Sequence, residues 1–308
     1  MLSALKAMSR AHALSLLFVL ACAGPFTVVA SGPAKAVEST VDIHRNQLAN
    51  LMARKPKIVT LSDTQLNAIV NQMTQFSTRL PQQFFDGGRL KEAVRAKSIA
   101  FSNARFAELG LPGLKIVDML YVGSLASFEY DDLSDVDIHI IIDPASFPGE
   151  KAMLRRYLSK VNDLNEFLYN RVTFYGRKAD FTFYADSVEN RIEPGVGIYS
   201  LFAQNWPSQP QPAPIRFSRP RVLAELKDYI TRYNALARSY AADKRGFNCE
   251  SFSDLREEVR LYRRKGIAKD GIRSTENIVY RSLRRVNGNL LRQMEDLELE
   301  CENIQGSL

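Results

Sequence analysis

The chain has 308 residues, of which 45% are apolar and 24% charged. That balance suits one large globular domain or two modest ones, long enough to bury a core without staples, and it excludes disordered and collagen-like classes. The net charge of +7 is uneven: residues 256–292 hold eleven Lys or Arg against four acidic residues (Glu257, Glu258, Asp270, Glu276). Such a segment either attracts polyanions, nucleotide phosphates and nucleic acid among them, or forms a solvated helix face.

Residues 1–30 read as a secretory leader. Lys6 and Arg10 precede an apolar run over 13–23, and Val28-Val29-Ala30 and Ala34-Lys35-Ala36 offer small-residue cleavage sites. The run is too short for a confident membrane span. Val19-Leu20-Ala21-Cys22 also resembles a lipoprotein box with an imperfect second position, which makes Cys22 a candidate membrane anchor. The competing reading is a mis-assigned start, with Met52 as the true one. Residues 31–60 read as a linker. Ser62 or Asp63 is placed to cap a helix carrying Leu66, Ile69, Val70 and Met73. Asp86-Gly87-Gly88 marks a turn, and a second helix is expected over 89–109, with Ala93, Ile99 and Phe106 inward and Gly110 just past its end.

From residue 114 the character changes. Residues 114–122 form an apolar, partly β-branched run, broken by Gly123-Ser124, and predict a strand. Residues 135–143 alternate, with Asp135, Asp137 and His139 on one face and Val136, Ile138, Ile140 and Ile142 on the other, which predicts a half-buried strand. A helix fits 149–170, with Leu154, Leu158, Val161, Leu164 and Leu168 as its stripe. Residues 172–175 and 179–185 read as short strands around Gly176-Arg177. Five prolines between 206 and 220 have the signature of a linker. Beyond it the chain reads as helical. One helix carries Leu223, Leu226, Ile230, Tyr233 and Ala237. The next is capped by Ser253 and runs to Gly266. A last long helix is capped by Ser274 and carries Ile278, Leu283, Val286 and Leu290, weakened at Gly288. With the leader removed, Cys249 and Cys301 remain; they pair in an oxidising compartment or stay as free thiols. The expected organisation is a leader (1–30), a linker (31–60), an α+β domain with a small mixed sheet flanked by helices (61–205), a Pro-rich linker (206–220) and a helical domain (221–308).

The chemistry concentrates between Tyr121 and Ile138. Two carboxylates two residues apart on a strand project to one side. Like charges so close raise each other's pKa, and a divalent cation resolves the conflict; oxygen ligands suit Mg²⁺, which takes one or two carboxylates plus substrate phosphates. Gly123 permits a sharp bend and close approach of a phosphate, and Ser124 donates from its N–H and hydroxyl. The segment Gly123-Ser124 … Ser134-Asp135-Val136-Asp137 resembles the DNA polymerase β-type nucleotidyltransferase superfamily, over about residues 115–186. Residues 274–285 are similar to helical tails of phage nucleotidyltransferase-like proteins.

The resemblance implies a nucleotidyltransferase-type fold and transfer of NMP from an NTP to a hydroxyl acceptor with two Mg²⁺ ions. Asp135, Asp137 and a third carboxylate would be metal ligands and catalytic residues, and Gly123 and Ser124 would hold the nucleotide. Asp180, in a strand of apolar neighbours, fits the third position, with Asp186 as the alternative. Small-ligand members of the family usually carry Ala-Arg-Gly after the turn. Here Ala126-Ser127-Phe128 stands instead, so other residues must neutralise the triphosphate. His139 shares the carboxylate face and either touches the site or, the favoured reading, is structural; Tyr199 and Trp206 are expected to pack. Arg177 and Lys178 either meet phosphate or only turn the chain, and Arg263-Arg264-Lys265 either face the nucleotide across a cleft between the two domains or, the favoured reading, point only to solvent. No Walker loop, Cys–His metal spacing or Ser–His–Asp arrangement is visible.

Two other readings compete: an inactive nucleotidyltransferase-fold binding module at the cell envelope, and a nucleic-acid binder using residues 256–292. Localisation is periplasmic or envelope-associated if the leader is real, and cytoplasmic otherwise.

Overall fold

The computed structural model of the protein describes residues 45–168, 173–186 and 195–306. The expected leader, Cys22 and residues 31–44 of the expected linker lie outside them, while the rest of that linker, 45–60, is described and begins as helix. Two compact units divide the chain, Met1–Ala53 and Arg54–Leu308. In the first, residues 45–53 are helical. No described helix is long and apolar enough to cross a membrane.

The second unit begins with helix α1 (Asp63–Met73), closed by a capping box: the Gln65 amide donates to Ser62 Oγ and the Ser62 amide to Gln65 Oε1. Leu66, Val70 and Met73 face inward. A hairpin of β1 (Phe85–Asp86) and β2 (Arg89–Leu90) turns at Gly87-Gly88, so α2 starts later than its sequence pattern indicates, at Glu92–Ala107. Its inward stripe is Val94, Ser98, Ser102 and Arg105. Ala93 is exposed, and Ile99 and Phe106 are half-buried. Gly110 follows with a φ of 64°, the left-handed position expected beyond a helix end.

Six strands form a mixed sheet in the order β5-β6-β4-β3-β7-β8. They are β3 (Ile116–Val122), β4 (Val136–Ile142), β5 (Thr173–Phe174), β6 (Arg177–Tyr184), β7 (Ile198–Ser200) and β8 (Asn205–Ser208). β3 pairs antiparallel with β4, and β4 pairs parallel with β6. A parallel pair needs a crossover, and α3 (Lys151–Leu168) supplies it, packing on β6. Along β4 burial alternates strictly. Ile138, Ile140 and Ile142 join Met119, Tyr121, Phe181 and Phe183 in the main core, with Leu154 and Leu158 of α3 and Val94 of α2. Leu164, expected on the inward stripe of α3, is exposed. The opposite sheet face carries Asp137, His139, Asp180 and Tyr184.

The Pro-rich stretch does not start as a free linker. Asn205–Ser208 is the edge strand, where Pro207 costs little because that strand pairs on one side only. Trp206 stacks on Phe85 at 5.5 Å and meets Tyr199 edge-on at 5.0 Å, so both aromatics pack as expected. Four helices follow: α4 (Arg219–Ala242), α5 (Glu250–Asp270), α6 (Thr275–Leu283) and α7 (Leu290–Gly306). α5 begins before Ser253, whose hydroxyl donates inside the helix to the Glu250 carbonyl. Ser274 does cap α6, accepting from the Asn277 amide. The expected single last helix is two, because Asn287, Gly288 and Asn289 all have positive φ and break it. α6 packs against α1, α4 and α5. The whole is α+β: a mixed sheet flanked by helices, followed by a helical region.

Candidate active site

Gly123 ends β3 with φ 74° and leads into a 3-10 turn, Ser124–Ala126. Val122 and Asp137 are partners across the β3–β4 ladder. A Cβ at Gly123 would lie 1.8 Å from Asp137 Oδ2, so the bend and the carboxylate occupy space that only glycine leaves open. The bend that the sequence reading leaves open to a phosphate is also bordered by the Asp137 carboxylate. The Ser127 hydroxyl donates to the Ser124 carbonyl and accepts from the Glu129 amide, which locks the turn.

Asp135 stands just before β4. The loop ahead of it is held by Arg177, which donates to the carbonyls of Asp131 (2.7 Å) and Ser134 (3.0 Å). Arg177 is therefore a brace for the Asp135 segment rather than only a turn residue. Burial lifts the Asp135 carboxyl above its usual range; Arg284 and Lys178 oppose this, and Asp180 and Asp131 add repulsion.

Gly123, Ser124, Asp135, Asp137 and His139 line one cleft of about 420 Å³. Asp180 is the ladder partner of Asp137, on the same sheet face. Its carboxylate, however, is bound by Lys178 at 3.2 Å, and it is not among the cleft-lining residues. Asp186, the alternative third carboxylate, pairs with Arg155 at 2.9 Å. Among the described residues, no three His, Cys, Asp or Glu side chains gather closely enough to hold a metal ion. His139 lines the cleft and meets Tyr184 edge-on at 4.8 Å.

The remaining wall comes from α5 and α6: Arg263, Asn277, Tyr280, Arg281 and Arg284. Of the Arg263-Arg264-Lys265 run, Arg263 lines the cleft, against the favoured solvent reading and in line with the alternative, whereas Arg264 and Lys265 are exposed. Asn277, Tyr280, Arg281 and Arg284 fall at i, i+3, i+4 and i+7, one face of a helix. That polar stripe is the sequence signal that marks them.

Much of the basic segment is paired across the fold. Arg281 binds Asp131 at 2.9 Å, Arg285 binds Asp131 and Asp132, and Arg284 lies 3.8 Å from Asp135 Oδ2. Arg273 meets Glu129 at 2.8 Å in a buried pair, and Arg256 meets Glu298 at 2.9 Å. Burial raises the Glu129 carboxyl above its usual range against the pull of Arg273. Burial would likewise raise Asp131, but Arg281 and Arg285 bring it below the usual range.

No protein-family model and no curated protein matches the chain. Among solved structures, it aligns with one titled "Structure of STING-associated CdnE c-di-GMP synthase from Capnocytophaga granulosa". Identity is 13% over 79% of this chain and 98% of that chain, with a TM-score of 0.18. A likeness at that score bears on neither fold nor function, which rest on the residues themselves.

Proposed function

We propose that the cleft binds a nucleoside triphosphate and transfers its nucleotidyl group to a hydroxyl acceptor, in the manner of the polymerase β-type nucleotidyltransferases that the Gly-Ser … Asp-x-Asp segment resembles. The observation that carries this reading is the seating of Asp137 against Gly123, with Asp135 and Ser124 in the same cleft and arginines on its other wall. Carboxylates and guanidinium groups facing one space suit a metal–polyphosphate ligand.

The donor set fits a first Mg²⁺. Asp135 and Asp137 are hard-oxygen donors, and the burial-raised pKa of Asp135 marks a carboxylate whose charge is incompletely compensated. Asp180 joins the set only when Lys178 releases it. Magnesium bound there would supply charge neutralisation at the phosphates. Ser124 donates to the leaving phosphates. The acceptor oxygen forms a bond to the α-phosphorus as the bond to pyrophosphate breaks, and the hydroxyl proton would pass to Asp180 once Lys178 has released it.

The test is incubation with Mg²⁺ and each labelled NTP. Asp135→Ala and Asp137→Ala are each expected to lower NMP transfer at least about a hundredfold. If both variants retain wild-type transfer, the site is elsewhere.

A second reading, nucleotide binding without catalysis, is favoured by the Lys178–Asp180 pair and by the absence of a gathered three-ligand set among the described residues. Nucleotide binding with no labelled product selects it. The Cys249–Cys301 disulfide supports work in an oxidising compartment, in line with an envelope location.

A further inference from the structure

We infer that Arg263 is the residue that grips the phosphate chain in this cleft, held ready by Asn277 and Tyr280, while Arg281 and Arg284 serve as struts. The inference deepens the proposed function and rests on it for the identity of the ligand.

Three arginines reach the cleft, and their commitments differ. Arg281 is tied to Asp131 at 2.9 Å. Arg284 donates to the Leu133 carbonyl at 3.2 Å and stands beside Asp135. Both therefore fasten α6 to the segment between the glycine turn and β4. Arg263 makes no ion pair among the described residues. Its Nε donates to Asn277 Oδ1 at 2.9 Å, and its guanidinium lies 4.7 Å from the Tyr280 ring centroid.

Asn277 is itself fixed. It is buried, and its Nδ2 donates to the Ile272 carbonyl at 2.6 Å, which decides which way its amide oxygen points. Together these contacts restrain the Arg263 guanidinium twice: the Nε bond sets its direction, and the ring packs against it. The two terminal nitrogens, unused by any described residue, are the fork that matches two phosphate oxygens. A guanidinium ordered before the ligand arrives loses little entropy on binding. The same cleft holds the Gly123-Ser124 turn, so a polyphosphate has donors from both walls.

The test is calorimetric titration of the full chain with inorganic tripolyphosphate and Mg²⁺, with NTP kinetics alongside. Arg263→Ala and Arg263→Lys should each weaken tripolyphosphate binding at least about tenfold, the lysine variant because it keeps the charge but loses the fork. Arg264→Ala removes the same charge from the exposed neighbour and should change affinity less than about twofold. Unchanged thermal unfolding of Arg263→Lys separates lost contact from lost fold. The inference is overturned if wild type does not bind tripolyphosphate, or if the Arg263 variants bind it as Arg264→Ala does. Tripolyphosphate binding that depends on Arg263, with no nucleotidyl transfer by wild type, upholds Arg263 and sinks the transferase reading. Transfer with an unaltered KM for NTP in Arg263→Ala does the reverse.

Discussion

At Gly123 the backbone has φ 74°, and the space a side chain would fill holds the Asp137 carboxylate. Replacing it by alanine adds two penalties, left-handed strain of about 1–3 kcal/mol and displacement of Asp137. Gly123→Ala is expected to fold, melt lower and lose most nucleotidyl transfer. A variant with wild-type kcat would show that the Asp137 position does not matter. The sequence marks this residue, since a glycine between an apolar strand and a short turn is conspicuous. It does not mark why: the contact runs to a residue fourteen positions on, across a ladder. Lys178 and Asp180 show the complementary limit. Both are legible as candidates, but their pairing is a matter of rotamer and space.

Among elements, β4 was the most legible, because alternation is a local property of a half-buried strand and needs no knowledge of the neighbours. α1 and the start of α6 were equally legible through Ser62 and Ser274, whose side chains cap within their own turn. The junction of α6 and α7 was not. Leu283, Val286 and Leu290 keep helical spacing through a break made by three positive-φ residues.

How α6 is held to the sheet segment is a question of charge. Asp131 binds Arg281 and Arg285, which outweigh burial and put its folded pKa below the ordinary value. A depressed acid contributes stability above its unfolded pKa and loses it as pH falls through the folded one. Asp131→Asn should therefore cost about 2 kcal/mol near neutral pH, since it removes the carboxylate that Arg281 and Arg285 share and leaves Arg285 with Asp132 alone. The difference from wild type should shrink in acid, where wild-type Asp131 is protonated too. Denaturant melts at neutral and acidic pH read both; a deficit independent of pH would rule out the pair.

At the scale of the whole molecule, residues 54–308 make one compact unit, tied near its end by a disulfide. Cys249 stands before α5 and Cys301 lies in α7, 52 residues apart in sequence. The bridge sits near the buried Lys244–Glu300 pair, whose atoms are 2.8 Å apart. Closing a loop of that length is worth about 4 kcal/mol by chain entropy, or about 10 °C in melting temperature for a unit of this size. Calorimetry with and without reductant, and of Cys301→Ser, measures it. An unchanged melting temperature on full reduction would remove the bridge from the account of stability.

By itself the sequence determined the central strands β3, β4 and β6, the capped starts of α1 and α6, the glycine bend and the shared face of Asp135, Asp137 and His139, because periodicity and capping act within a few residues. Only the tertiary structure decided which cations enter the cleft. Arg281 meets Asp131 across 150 residues and Arg273 meets Glu129 across 144. Those meetings depend on how α6 packs against α1, α4 and α5, and no pattern within any one segment encodes a distance between surfaces so far apart along the chain.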